Sequence, residues 1–196
     1  KGSYDNKSFA SYKLIDNKVV RVYEGEDVYN VYMFLSTRTA DICDPKVVKQ
    51  FITLTHEQYK KNDIYHNLRG FFTDEPQYYR WATPYTKMLP DYFKKTYKED
   101  VKDGLIMLFL DIGDYKDFRY KYYKALQNLM LSSFAKEVYS WCDKNGYKLT
   151  GHYVEETSFY NQIMCCGGIM PFYEFEHIPG VDWLGRNIGT TLLSPK

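Results

Sequence analysis

The sequence predicts an α/β protein in which an N-terminal antiparallel β segment leads into parallel β/α units. Three observations carry that expectation. Residues 8–36 are dense in β-branched and aromatic residues, broken by turn formers. From residue 44 onward, stretches with helical apolar spacing alternate with short apolar runs. No internal repeat or low-complexity tract interrupts that order.

The elements follow along the chain. "SYKLI", "KVVRVYE" and "VYNVYMFLS" read as strands, with turns at Asp16-Asn17 and at Gly25 to Asp27. Asp44 suits an N-cap and Pro45 the first helical position. Val48, Phe51, Ile52, Thr55 and Tyr59 then recur at helical spacing, with fraying near 61–63. "LRGFFTD" (68–74) reads as a buried strand, and the segment "EPQYYRWATPYTKMLP" is too aromatic for a flexible linker. A helix is expected over 91–109, broken around Lys102 to Gly104. The longest helix should run from about Asp114 to Asp143, with Tyr122, Leu126, Leu129, Met130, Phe134, Val138 and Trp141 on its apolar face and Gly146 closing it. "YKLTGHYVEE" (147–156) is strand-like, 158–164 a short helix, and "FYEFEHI" and "GVDWLG" one or two further strands. The expected division is an antiparallel β segment over 1–43 packed on β/α units over 44–196, forming a single structural unit.

Composition narrows the function. A chain of 196 residues, 44% hydrophobic and 26% charged, can bury a sizeable core. A net charge of +1 and the lack of a glycine-rich phosphate loop argue against a nucleic-acid partner. No apolar run is long enough for a membrane helix, so no membrane partner is expected. Cys43, Cys142, Cys165 and Cys166 contain no CxxC pair, which points to buried thiols in a reducing compartment and to the cytoplasm over a secreted setting. The chain starts at Lys1 without a methionine, so a natural leader could lie outside it. The 21 tyrosines suit a core rim and a sugar-binding cleft alike.

Three strand candidates end in ionisable residues: Asp74 and Glu75; His152 with Glu155 and Glu156; His177 with Asp182. In a β/α barrel the strand C-termini share one face, and that face carries the chemistry. Carboxylates gathered there from separate strands are what glycoside hydrolysis needs, one protonating the leaving oxygen and another acting as nucleophile or activating water. The pre-proline position should hold Glu75 extended, with its side chain alternating away from Asp74. If the later strand continues, His152, Val154 and Glu156 share one face. Each motif also has a plain reading: "DEP" as a solvated turn, "EE" as charge at a helix N-terminus, and His177 as a hydrogen-bonded structural residue.

Taken together, "GFFTDEPQYY", "LTGHYVEETSFYNQ" and "HIPGVDWLGR" resemble a group of bacterial TIM-barrel glycoside hydrolases related to the α-L-rhamnosidase-like proteins. "DICDPKVVKQFITLTHEQYKK" resembles the helix that leads into the "DEP" strand there, and the likeness covers roughly residues 28–188. The resemblance implies a partial (β/α)8 TIM-barrel-like domain with an N-terminal hairpin or meander. It implies a carbohydrate-active enzyme with Glu75 as acid or acid/base and Glu156 as the second carboxylate, the neighbouring Glu155 leaving that choice open by one residue. Asp74, His152, Glu155, Asp182 and Trp183 would line the sugar site, Trp183 either stacking on sugar or packing in the core.

Proteins of that group are much longer, and a full barrel takes roughly 250 residues. The chain is therefore expected to be a fragment, inactive in isolation and self-associating through exposed half-barrel edges. No cofactor is expected beyond a possible calcium ion at Asp74, Glu75, His152, Glu156 and Asp182. A non-catalytic carbohydrate-binding or scaffold domain is the alternative.

Overall fold

A computed structural model of the protein describes residues 3–4, 8–16, 18–23, 28–35, 39–78, 82–155 and 158–182. In chain order the first strands are β1 (Ser3–Tyr4), β2 (Ala10–Ile15), β3 (Lys18–Val22), β4 (Tyr29–Val31) and β5 (Phe34–Leu35). Helices α1 (Pro45–Leu54) and α2 (His56–Asn62) precede β6 (Gly70–Asp74). Then come α3 (Leu89–Thr96), α4 (Tyr115–Met130), α5 (Lys136–Lys144), β7 (Lys148–His152), α6 (Phe159–Cys165) and β8 (Ile178–Pro179). The chain divides into two compact units, one from Lys1–Ala40 with Lys87–Ala125, the other from Asp41–Thr86 with Leu126–Lys196.

In the first unit, β2 is the middle strand of an antiparallel sheet of order β3–β2–β4, and β1 pairs separately with β5. The strand runs read from "SYKLI", "KVVRVYE" and "VYNVYMFLS" therefore pair antiparallel as expected. Asp16 forms the β2–β3 turn with a φ of 51°, a left-handed conformation that short acids tolerate; Gly25 to Asp27 lie outside the described residues. Tyr12 is fully buried and its hydroxyl donates to the Lys102 carbonyl. Arg21 on β3 reaches Asp100 at 2.9 Å and Asp103 at 3.3 Å. The helix expected over 91–109 is α3 followed by two 3-10 turns, Val101–Asp103 and Leu105–Leu108. The break restarts at Asp100, whose side chain accepts from the Lys102 N–H at 2.9 Å.

The second unit holds the parallel sheet. Asp44 caps α1 by accepting from the Lys46 N–H at 2.9 Å, and Pro45 opens the helix as its fixed φ favours. The long expected helix is α4 and α5 joined by one wide, π-type stretch over Leu131–Ala135. Strands β6, β7 and β8 form a parallel sheet in that order, with Asp74 opposite His152 and Thr150 opposite Ile178. The pleat sends alternate residues to opposite faces. Phe71 enters an aromatic cluster, stacking on His56 at 4.3 Å and meeting Trp141 and Tyr147 edge-on at 5.5 and 5.4 Å. Burial holds the His56 ring below the usual imidazole range. Phe72, on the other face, is 64% exposed. All four cysteines are buried and, among the described residues, none forms a disulfide. Burial pushes the Cys142 thiol up to about 12. Among the described residues, no helix is long and apolar enough to cross a membrane.

The partial (β/α)8 barrel is corrected. The described residues form a three-stranded antiparallel sheet, a separate two-stranded pair and a three-stranded parallel sheet, with no barrel closure. Closing a barrel needs a continuous ring of tilted, staggered strands. Here, among the described residues, the chain between β6 and β7 supplies only helices and 3-10 turns. Most of "FYEFEHI" is also a 3-10 turn, Met170–Phe175, leaving β8 only two residues long. Alternation of helix and strand was legible, but it does not specify how many strands join one sheet.

Gly151 sets the spacing of the parallel sheet. Its φ is 149°, and a Cβ there would lie 2.1 Å from the Thr73 carbonyl oxygen on β6. Gly151→Ala is expected to destabilise this unit by about 3 kcal/mol or more, because a backbone oxygen, not a flexible side chain, must give way. Urea unfolding of the variant beside wild type checks this.

Glu176 is 6% exposed, and neither of its carboxylate oxygens has a hydrogen-bond partner among the described residues. Burial raises it to about 8, which the Gly180 backbone offsets only in part. Between pH 4.5 and about 8 the folded protein keeps a proton that the unfolded chain has lost, so stability falls as pH rises through that window. Glu176→Gln is expected to flatten the dependence and raise the pH 8 melting temperature by about 2–4 °C or more. Calorimetry across this range checks it; a flat wild-type profile would contradict the burial argument.

Candidate functional site

The register of β6 on β7 places Asp74 beside His152 at the C-terminal edge of the sheet. Asp74 Oδ1 lies 3.1 Å from His152 Nε2. The His152 side chain is 10% exposed and the Asp74 carboxylate 78% exposed. The acid thus meets a ring that the protein already holds in place. A carboxylate on one imidazole nitrogen selects the tautomer and orients the ring.

Glu75 does not stay in the pleat. Its φ is 48°, a left-handed conformation, where the pre-proline position predicted an extended one. The reason lies just downstream. The Tyr78 N–H donates to the Cys165 carbonyl at 3.0 Å, and the Tyr78 hydroxyl donates to the Ile163 carbonyl. The loop after β6 is thereby drawn onto the end of α6, with Glu75 left-handed at its start. Such a conformation costs about 1–3 kcal/mol in a non-glycine residue and concentrates at functional sites. The expected separation of Asp74 from Glu75 is lost: both reach the neighbourhood of His152.

Asp182 enters from the segment after β8, two residues beyond Gly180. One donor atom each from Glu75, His152 and Asp182 lies within 4.8 Å of the others. Both acids are half-buried and the histidine is buried. The site is thus supplied by three strand ends, as the sequence motifs suggested, and Asp182 is one of its three converging members.

The remaining candidates fall elsewhere. Strand β7 ends at His152, and Tyr153 and Val154 are both 1% exposed, so the alternation expected to carry His152, Val154 and Glu156 on one face does not continue. Glu155 has a φ of 67° and accepts from Asn161 Nδ2 at 3.2 Å. Asn161 in turn donates its backbone N–H to the Ser158 hydroxyl that caps α6. Glu155 therefore sits against the first turn of α6, the helix-terminus role that "EE" also allowed. Glu156 and Trp183 lie outside the described residues. His177 is structural: its Nδ1 accepts from the Leu149 N–H at 3.0 Å, and its ring stacks on Tyr139 at 4.5 Å. Sequence reasoning missed Phe72, whose ring centre is 5.8 Å from that of His152. The signal was the adjacent pair Phe71-Phe72, since period-two alternation puts one of them on each face.

Two carboxylates flanking an oriented imidazole can move protons at a substrate bound on the sheet edge. The same donors, one nitrogen and two oxygens, are also a plausible first set for a divalent cation. Comparison of the chain with protein-family models, with curated proteins and with solved structures finds no match.

Proposed function

We propose that the protein is a glycoside hydrolase whose centre is the Glu75–His152–Asp182 cluster. One observation carries the reading: carboxylate oxygens from Glu75 and Asp182, delivered by separate strand ends, approach within 4.8 Å. A contact no longer than that falls below the carboxyl separation of about 5–5.5 Å used for retention of configuration, and under the roughly 6.5–9.5 Å that admits a water for inversion. Glu75 acts as acid/base on the glycosidic oxygen and Asp182 as nucleophile at the anomeric carbon. Asp74 holds His152, which packs beside the two acids and keeps the sheet edge in shape. The sequence resemblance, independent of the geometry, also gives Glu75 the acid role.

The test is hydrolysis of a panel of 4-nitrophenyl glycosides, α-L-rhamnoside included. Glu75→Gln keeps the shape and removes the proton, so the rate is expected to fall about a hundredfold or more. Asp182→Asn should fall comparably and Glu156→Gln much less. The reverse order would make Glu156 the second carboxylate. NMR of the first-formed anomer should show retention.

A second reading is favoured by the donor set itself. A divalent cation bound by Glu75, His152 and Asp182 would anchor sugar hydroxyls in place of acid/base chemistry. Calcium prefers oxygen ligands and would draw on Asp74, Glu75 and Asp182, whereas Mn2+ or Zn2+ would also take the His152 nitrogen. Melting curves with added Ca2+, Mn2+ or Zn2+ separate the cases. On the cation reading one ion raises the melting temperature of wild type but not of Glu75→Gln, and chelation abolishes sugar binding. On the hydrolase reading turnover survives chelation.

A further inference from the structure

Parallel sheets are normally covered on both faces, and their strands read as apolar on both. Here one face of β6–β7–β8 carries Phe71 into the aromatic cluster. The opposite face presents Phe72 at 64% exposure and Ile178 at 57%, in register through Thr150. The Thr150 hydroxyl is already committed to the Ile178 carbonyl at 2.7 Å. This row is therefore apolar, and it lies one pleat behind Asp74 and His152 on the same face.

A pyranose ring has the complementary chemistry. Its faces carry C–H groups and its rim carries hydroxyls, so it needs an aromatic or aliphatic floor bordered by carboxylates and an imidazole. Phe72 is that floor, its ring centre 5.8 Å from the His152 ring and tilted 60° to it. Asp74 borders it on the same strand, and Glu75 and Asp182 converge on His152 from beyond. We propose that Phe72 is the stacking platform for the pyranose ring of the substrate, making it a determinant of specificity for carbohydrate. The proposal rests on the reading of the cluster as a glycosidase centre and adds the residue that holds the sugar.

The experiment measures binding of methyl glycosides by calorimetry to wild type, Phe72→Leu and Phe72→Tyr, with melting temperature and oligomeric state recorded for each. Leucine keeps apolar bulk and removes the ring face; tyrosine keeps the ring. Phe72→Leu is expected to bind about five- to tenfold more weakly and Phe72→Tyr within about twofold of wild type. Equal binding by wild type and Phe72→Leu would overturn the platform. So would a change of oligomeric state with unchanged affinity, which would mean that protein covers this face. No binding of any methyl glycoside to wild type would overturn it as well. Because the readout is binding, the hydrolase reading can fail, with sugar bound and not turned over, while the platform stands.

Discussion

The close approach of β7 to both neighbours at Gly151 is the constraint on which the second unit depends. The Gly151 peptide faces the Thr73 carbonyl on one side, and a Cβ on Gly180 would lie 2.3 Å from the Gly151 carbonyl on the other. With no side chains in these gaps, the strands lock in a register that puts Asp74 beside His152. A slip of one residue would send every side chain to the opposite face and disperse the cluster. The tight packing is therefore as much a condition of the site as the acids themselves.

The site is completed by breaking the strand pattern. Left-handed backbone at Glu75 and Glu155 ends the alternation immediately after β6 and shortly after β7. In each case α6 holds the chain. Its C-terminal carbonyls accept from Tyr78, and Asn161 in its first turn donates to Glu155. A short helix thus fixes two loops, so functional side chains sit on connections held by a rigid frame. Gly180 and Asp182 add a third approach, tied down where the Tyr173 hydroxyl donates to the Gly180 carbonyl at 2.8 Å.

Charge is distributed between interior and edge in keeping with solvation. Within the unit, burial favours the neutral forms of Cys43, Cys142, Tyr153 and Glu176. The acids of the candidate site collect at the sheet edge, where Asp74 is exposed and Glu75 and Asp182 are half-buried. Low-dielectric surroundings on one side and water on the other strengthen hydrogen bonds to a bound ligand without the full cost of burying charge.

Local chemistry is what the amino-acid sequence by itself determined. Asp44 and Pro45 specified the start of α1, Ser158 that of α6, and β-branched runs the strands β2 to β4, because caps and periodicity act over a few residues. The ionisable residues at strand ends were legible for the same reason: Asp74 and Glu75, His152, and Asp182 each follow a strand-like run. Only the tertiary structure decided how many strands share a sheet, since pairing joins residues far apart in sequence and alternation alone cannot count partners. It decided that Glu75 leaves the extended conformation beside His152, because the loop after it is held by Cys165 and Ile163, nearly ninety residues away. It also decided that Phe71 is packed while Phe72 is open, a difference set by which face of the sheet the helices cover.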